Sequence, residues 1–236
     1  METFPQQFGM AMGELVVRYR ETWYPLAAVL HLAFLTVFAL VAARGNRFRR
    51  LFAVFFVIDY AWVFANVGVV FTIRIFRAVG PLGLAFYGAT PLLLLLILWR
   101  WLEETRNPAN DFDLRNTPVW RWAVALPFLL WGFWYPPYEW GVGLNFHPKE
   151  LLFGAFGLMG CPTTLVPLAV LFLRFPSVNL RLYTALIVYA VMVGFAMVML
   201  RYIPDIPFFA MGAVALADTA VHGVRVRRAR AGTKTD

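Results

Sequence analysis

The sequence predicts an all-α protein, an integral membrane bundle of about seven transmembrane helices, and two observations support that class. Seven long apolar stretches, separated by short arginine-bearing joints, fill almost all of the 236 residues. Hydrophobic residues make up 61% of the chain and charged residues only 14%, which is too little polar surface for a water-soluble domain of this size. A membrane span needs roughly 20 apolar residues, so seven spans leave no room for a soluble domain.

The predicted elements follow one another along the chain. Apolar residues recur at helical spacing in residues 1–22, which lack the pattern of a signal peptide, so we expect a short interfacial helix on the membrane surface. The spans are predicted near residues 23–43, 51–73, 79–102, 119–134, 150–175, 180–202 and 206–224. Residues 23–224 would form one transmembrane bundle, and residues 225–236 would form a basic cytoplasmic tail.

The basic residues predict the orientation. Most of them lie in the joints after spans one, three and five and in the C-terminal tail. The opposite joints carry only four basic residues: Arg74, Arg77, Lys149 and Arg201. Positive charge marks the cytoplasmic side, so we expect the N-terminus outside and the C-terminus in the cytoplasm.

The same charge pattern indicates the partners. The formal net charge is +8, and the arginines flank apolar spans, so anionic membrane lipids rather than nucleic acid explain it. Other membrane subunits or a second copy of the chain are further expected partners. The single cysteine, Cys161, excludes an intrachain disulfide and a multi-cysteine metal site. Phosphate-binding, zinc-protease and nucleophile-elbow motifs are absent from the sequence, so we expect no cofactor, no bound metal and no enzymatic activity.

Ionisable residues inside the predicted spans are the first candidate site, because each costs several kcal/mol in hydrocarbon unless it is paired or hydrated. Asp59 and Asn66 are seven residues apart in the second span and are expected to face the same side. Asp218 and His222 lie at i and i+4 in the seventh span, with Arg225 next along that stripe. The two acids have similar predicted depths, so they could share one layer as a proton or cation relay. The alternative is structural: Asp218 pairs with His222 and Arg225, and Asp59 hydrogen-bonds to a neighbouring helix.

A second group of candidates belongs to the outer half of the predicted bundle. Its members are His31, His147, Cys161, Thr163 and Thr164. Cys161 resembles the cap of a helix N-terminus, where backbone N–H groups favour an anion or a thiolate, and some transporters build substrate sites at such breaks. The favoured alternative is one continuous helix over residues 150–175, kinked at Pro162. A haem or metal held by the two histidines and the cysteine is a further alternative, although their spacing matches no ligand motif.

Three stretches resemble a family of bacterial polytopic membrane proteins known as a domain of unknown function. They are Phe4-Pro5-Gln6-Gln7-Phe8 with Tyr19 and Trp23-Tyr24-Pro25, then Tyr135-Pro136, and finally Cys161-Pro162-Thr163-Thr164, which is the most specific. Their order and spacing are similar over nearly the whole chain, but Arg20 and Gly160 stand where that family has asparagine and proline. The resemblance implies a bacterial inner-membrane protein and brings no activity, substrate or catalytic residue.

These observations favour a small-solute or ion permease or channel, with Asp59 and Asp218 as relay groups and the turn at Cys161 as a binding point. The alternative is a non-catalytic structural or assembly subunit of a membrane protein complex. A membrane enzyme with Cys161 as nucleophile is disfavoured, because the sequence shows no partnered base. A permease predicts a polar cavity around Asp59, whereas a subunit predicts a solid apolar interior.

Overall fold

The computed structural model describes residues 4–79, 81, 88–139 and 142–232, and most of these are helical. The helices are α1 (Phe4–Arg44), α2 (Arg49–Val63), α3 (Thr72–Val79), α4 (Thr90–Arg106), α5 (Val119–Trp134), α6 (Glu150–Phe153), α7 (Gly160–Arg174), α8 (Leu180–Met199) and α9 (Ile206–Gly232). A π-helical segment, Phe64–Phe71, joins α2 to α3. Two short strands, β1 (Tyr138–Glu139) and β2 (Gly143–Leu144), pair antiparallel. The predicted all-α class is confirmed.

Three described stretches are long and apolar enough to cross a membrane: Gln6–Arg77, Leu180–Met199 and Ile203–Arg227. The first of them folds back at Gly45, whose φ of +57° is readily adopted by glycine alone. Consequently α1 runs antiparallel to α2, with the rings of Trp23 and Trp62 4.7 Å apart and those of Phe34 and Phe52 6.1 Å apart.

Helix α7 lies at the centre of the bundle. Its residues from Pro162 to Leu173 are all buried, and α5, α8 and α9 pack around it. A helix that is apolar on every side is expected to be enclosed by protein. The outer helices instead expose large apolar side chains such as Met192 and Leu216, as lipid-facing helices do.

The arginine-rich joints after α1, α4 and α7 meet at one end of the bundle. The Asn46 side-chain amide donates a hydrogen bond to Asp111 at 2.9 Å, and Asp111 also forms an ion pair with Arg174. Asn179 donates to the buried carboxylate of Glu104 at 2.8 Å. These bonds tie the three joints together, so the C-terminal ends of α1, α4 and α7 lie on the same side of the molecule.

The N-terminal segment differs from its prediction. Among the described residues of the predicted segment 1–22, no boundary separates it from the first span, because α1 is one helix from Phe4 to Arg44. Phe8, Met12 and Val16 are almost fully buried, and the backbone at Gly13 closely approaches the carbonyl of Tyr138. The apolar face of this segment is therefore covered by other parts of the protein.

The other predicted spans match the helices to different degrees. The fourth span, 119–134, coincides with α5. The sixth and seventh begin where α8 and α9 begin, but α8 ends at Met199, shortly before Arg201 adopts a φ of +58°. Helix α9 continues to Gly232, so most of the predicted basic tail is helical. In the third span α4 begins at Thr90, and residues 80 and 82–87 lie outside the described residues.

Candidate functional site

The predicted fifth span is broken, so the favoured prediction of one kinked helix is wrong. Helix α6 ends at Phe153 and α7 begins at Gly160, with a buried non-helical segment between them. Met159 is extended (φ −122°, ψ 145°) and occupies the cap position of α7. Cys161 is thus the second helical residue rather than the cap, but the predicted helix N-terminus at this place is confirmed.

Two glycines explain the break. A Cβ on Gly154 would lie 2.5 Å from the carbonyl oxygen of Glu150, and Gly157 has a φ of +74° with Leu30 packed against it. The N–H of Gly157 donates to the hydroxyl of Thr163 at 2.9 Å, which fastens the segment to the first turns of α7. The residues of the break, 154–159, are all buried, so other parts of the protein surround this non-helical backbone.

A cluster of polar side chains lies where α7 begins. We define the outer cluster as Cys161, Asp205, Tyr135 and Tyr202. The Tyr135 hydroxyl donates to Asp205 Oδ1 at 2.5 Å, and Cys161 and Tyr202 line the same cavity as this carboxylate. Asp205 is only 1% exposed. The cluster borders a cavity of about 10 Å³, roughly the space of one water molecule.

The sequence pattern indicated Cys161 but not the other three residues of the outer cluster, Asp205, Tyr135 and Tyr202. Asp205 follows Pro204 immediately before α9, where an acidic residue resembles ordinary helix-start chemistry. Tyr135 ends α5 with a φ of +31°, a conformation that no sequence pattern reveals. The one feature of the sequence that could have indicated this cluster is that two tyrosines and an aspartate lie close to the ends of apolar stretches.

Asp59 is fully buried in α2, and neither of its carboxylate oxygens receives a hydrogen bond from the described residues. The predicted structural alternative, a hydrogen bond from Asp59 to a neighbouring helix, is therefore wrong for the described part of the chain. The next residue, Tyr60, does make such a bond, donating to the hydroxyl of Thr164 in α7 at 2.9 Å. Asn66 lies beyond the start of the π-helical segment, where the register changes, and its amide donates to the Trp62 carbonyl.

Asp218 has a different partner from the predicted one. It forms an ion pair with Arg121 of α5, at 2.8 Å, instead of with His222 and Arg225. The same Arg121 guanidinium donates to the Phe172 carbonyl at 2.5 Å. Its central carbon, Cζ, lies 4.8 Å from the centroid of the Phe172 ring. The His222 ring packs edge-on against Phe175. Packing between helices, rather than spacing along α9, decides this pair.

The two predicted relay acids do not share a layer. Tyr60, next to Asp59, contacts α7 at Thr164, whereas Arg121, the partner of Asp218, contacts α7 at Phe172. These two positions on α7 are about 12 Å apart along the helix axis. Asp59 therefore lies closer to the outer cluster than to the Arg121–Asp218 pair, and the predicted common layer is wrong.

His31, His147 and Cys161 are not brought together. His31 is buried, with Nδ1 2.7 Å from the Ala27 carbonyl and Nε2 3.3 Å from the Phe133 carbonyl. His147 is exposed, and its Nδ1 accepts a hydrogen bond from the N–H of Lys149. Among the described residues, no three His, Cys, Asp or Glu side chains are grouped to hold a metal ion.

Comparison of the chain with protein-family models, curated proteins and solved structures found no match. The resemblance to a bacterial membrane family stays a prediction. The function is therefore argued from the geometry of the buried polar residues.

Proposed function

We propose that this protein is a small-solute or ion permease of a bacterial inner membrane, with Asp59 as a proton-relay group. The observation that carries this proposal is the burial of Asp59 without a hydrogen bond from the described residues. An unpaired carboxylate in an apolar bundle is expensive, and its cost is understandable if the group must gain and lose a proton during a transport cycle.

The proposed topology has seven spans, with the N-terminus outside. The crossings are α1, α2 with α3, the segment ending in α4, α5, α6 with α7, α8 and α9. Its main support is the meeting of the three arginine-rich joints at one end of the bundle, held by Asn46, Asp111 and Asn179. Positive charge concentrates on the cytoplasmic side of membrane proteins, so we assign that end to the cytoplasm and the outer cluster to the opposite half.

A row of buried polar groups along α7 supports a path. It starts at Asp205 and Cys161, which line one cavity where α7 begins, and continues one turn later to Thr164 and Tyr60. Asp59 adjoins Tyr60 in α2. Broken helices with polar residues at the break form the substrate sites of several transporters. We propose that protons or small ions move along this row in another conformation, since the outer cavity here holds about one water molecule.

Proton flux into reconstituted vesicles tests the proposal. Vesicles with the purified protein and an entrapped pH-sensitive dye receive a pH step while the membrane potential is clamped. We expect wild-type vesicles to equilibrate faster than protein-free vesicles, and Asp59→Asn to reduce the rate by at least about tenfold, because the amide cannot carry a proton. The matched control is Asp113→Asn in the joint before α5, which should keep the wild-type rate.

Either of two results would reject the relay. One is wild-type flux no faster than that of protein-free vesicles. The other is an Asp59→Asn rate equal to wild type at every pH. Circular dichroism and the thermal midpoint in detergent establish that the variant is folded, which we expect because asparagine and aspartate have nearly the same size and shape.

A second candidate, a non-catalytic subunit of a membrane complex, is favoured by the dense aromatic packing of the interior. The rings of Phe56 and Trp101 stack 4.8 Å apart, and those of Phe133 and Phe156 lie 4.9 Å apart. A solid interior suits a protein that only supports others. This candidate predicts co-purification with a partner in fixed ratio from the native membrane, together with no flux from the protein alone.

A further inference from the structure

Four of the residues that line the cavity beside the outer cluster have sulfur in their side chains. Met12 comes from α1, Met159 precedes α7, Cys161 lies in the first turn of α7, and Met197 belongs to α8. The three methionines are buried, with at most 6% exposure. Three of the eight methionines and the single cysteine of the chain thus meet at one water-sized space.

This set of side chains has a distinct metal preference. Thiolate and thioether ligands are soft and select Cu(I) among the common biological metals. Zinc sites use charged or imidazole ligands, and magnesium and calcium need oxygen ligands. A site with one thiol and three neutral thioethers therefore fits a soft ion with a single positive charge.

We propose that Met12, Met159, Cys161 and Met197 bind one soft monovalent metal ion, Cu(I) or its analogue Ag(I). The ion would replace the proton of the Cys161 thiol and form a bond to the sulfur. The Asp205 carboxylate, which borders the same cavity, would accept the displaced proton. Thiolate and ion then cancel in charge, so no net charge is left buried at the ligands.

Simple core packing is the competing explanation for the methionines, since flexible thioethers often fill irregular gaps. It accounts for apolar contact alone, whereas the cavity also borders a thiol and the buried carboxylate of Asp205. The metal site deepens the proposed permease by naming the class of ion that its outer end would take.

Equilibrium binding to the full chain in detergent tests the inference. Purified protein under anaerobic, reducing conditions competes for Cu(I) with a chromogenic Cu(I) chelator. We expect one Cu(I) per chain, displacement by Ag(I), and no competition from Zn(II). X-ray absorption at the copper edge should show sulfur neighbours. Cys161→Ser should lower the affinity by more than about 100-fold, and Met12→Leu, Met159→Leu and Met197→Leu by roughly 10–100-fold each, a range typical of disturbed metal sites.

Matched variants separate binding from folding. The controls are Met10→Leu and Met199→Leu. Met10 lies in α1 two residues from Met12, Met199 lies in α8 two residues from Met197, and both are exposed. Both should keep the wild-type affinity. Leucine is close to methionine in volume, so the cavity variants should fold, and their thermal midpoints check this.

The inference is overturned if the chain binds no Cu(I) against the chelator, if Cys161→Ser keeps the wild-type affinity, or if the control variants weaken binding as much as the cavity variants. Failure here is distinct from failure of the permease. A chain that conducts protons through Asp59 but binds no Cu(I) rejects the metal site alone, and one that binds Cu(I) but whose flux ignores Asp59→Asn rejects the relay alone.

Discussion

Three aspartates, two of them buried and the third (Asp218) half-buried, show how differently this molecule accommodates a carboxylate. Asp218 is neutralised by Arg121, and Asp205 accepts a hydrogen bond from Tyr135. Asp59 receives no hydrogen bond from the described residues. Because an unpaired buried carboxyl group is costly, the first two fit a structural or ligand-binding role, whereas Asp59 without such a bond is the basis of the proposed proton relay.

The Arg121–Asp218 pair gives a prediction on stability. Arg121→Met should destabilise the protein by about 3 kcal/mol, because it leaves Asp218 without its counter-charge; the lower end of the usual range applies since Asp218 is partly exposed. Thermal midpoints in detergent measure the effect. The double variant Arg121→Met with Asp218→Leu should recover part of the loss, while the exposed change Arg201→Met should have little effect. A double variant as unstable as the sum of the single ones would contradict a direct pairing.

Asp111 gives a prediction on pH, because it lies in the joint between α4 and α5. Burial raises the pKa of its carboxyl, but hydrogen bonds from the Asp113 N–H, Arg174 and Asn46 outweigh burial, so the pKa lies below its ordinary value. The charged form is thus favoured by folding. Its stabilisation is present above the unfolded pKa of about 3.9 and is lost as the pH falls through the lower folded value.

Asp111→Asn should therefore lower the stability at pH 7 by about 1 kcal/mol. The difference from wild type should shrink below about pH 4 and close as the pH falls through the lower pKa that Asp111 has in the folded protein. Thermal midpoints in detergent over this pH range measure it, with Glu21→Gln on the exposed side of α1 as the control. A difference that stayed constant down to the lowest pH would show that the Asp111 charge is not involved.

At the scale of the helices, hydropathy predicted what depends on apolar length and failed where backbone geometry decides. The limits of α5 and the starts of α8 and α9 follow from apolar stretches bounded by polar or proline residues. The break before α7 could not be predicted in this way. Gly154 and Gly157 lie within an apolar stretch, and the mean hydropathy of that stretch is the same whether its backbone is helical or not. The partners of Cys161 and Asp218 come from other helices, so spacing along one helix could not identify them.

Close contact between α8 and α9 gives a prediction on glycine. A Cβ on Gly212 would lie 2.8 Å from the Cβ of Ala190, whereas a Cβ on Gly223, in the same helix, would meet nothing within 4 Å. Gly212→Ala should therefore destabilise the protein by roughly 1–3 kcal/mol through overpacking. Gly223→Ala should stabilise it by about 0.5–1 kcal/mol, because alanine restricts the unfolded chain. Equal effects of both changes on the thermal midpoint would argue against this packing of α8 on α9.

At the scale of the whole molecule, the proposed sidedness can be tested with single cysteines. The exposed residues Asn116 and Asn145 precede and follow α5. In a Cys161→Ser background, Asn145→Cys should react with an impermeant thiol reagent in intact cells, and Asn116→Cys only after the membrane is permeabilised. The mass shift of the purified protein reports the labelling. Reaction of both positions from the same side would exclude α5 as a crossing and overturn the seven-span topology.

The path of α1 has a consequence for biosynthesis. The cavity next to Cys161 takes Met12 from the first helix, but Met197, Tyr202 and Asp205 come from the last fifth of the chain. A nascent polypeptide emerges from the ribosome N-terminus first. Met12 is therefore synthesised long before the other residues that line the cavity with it. The pocket closes only after the final helices have been inserted, and any ion it holds is acquired by a finished protein.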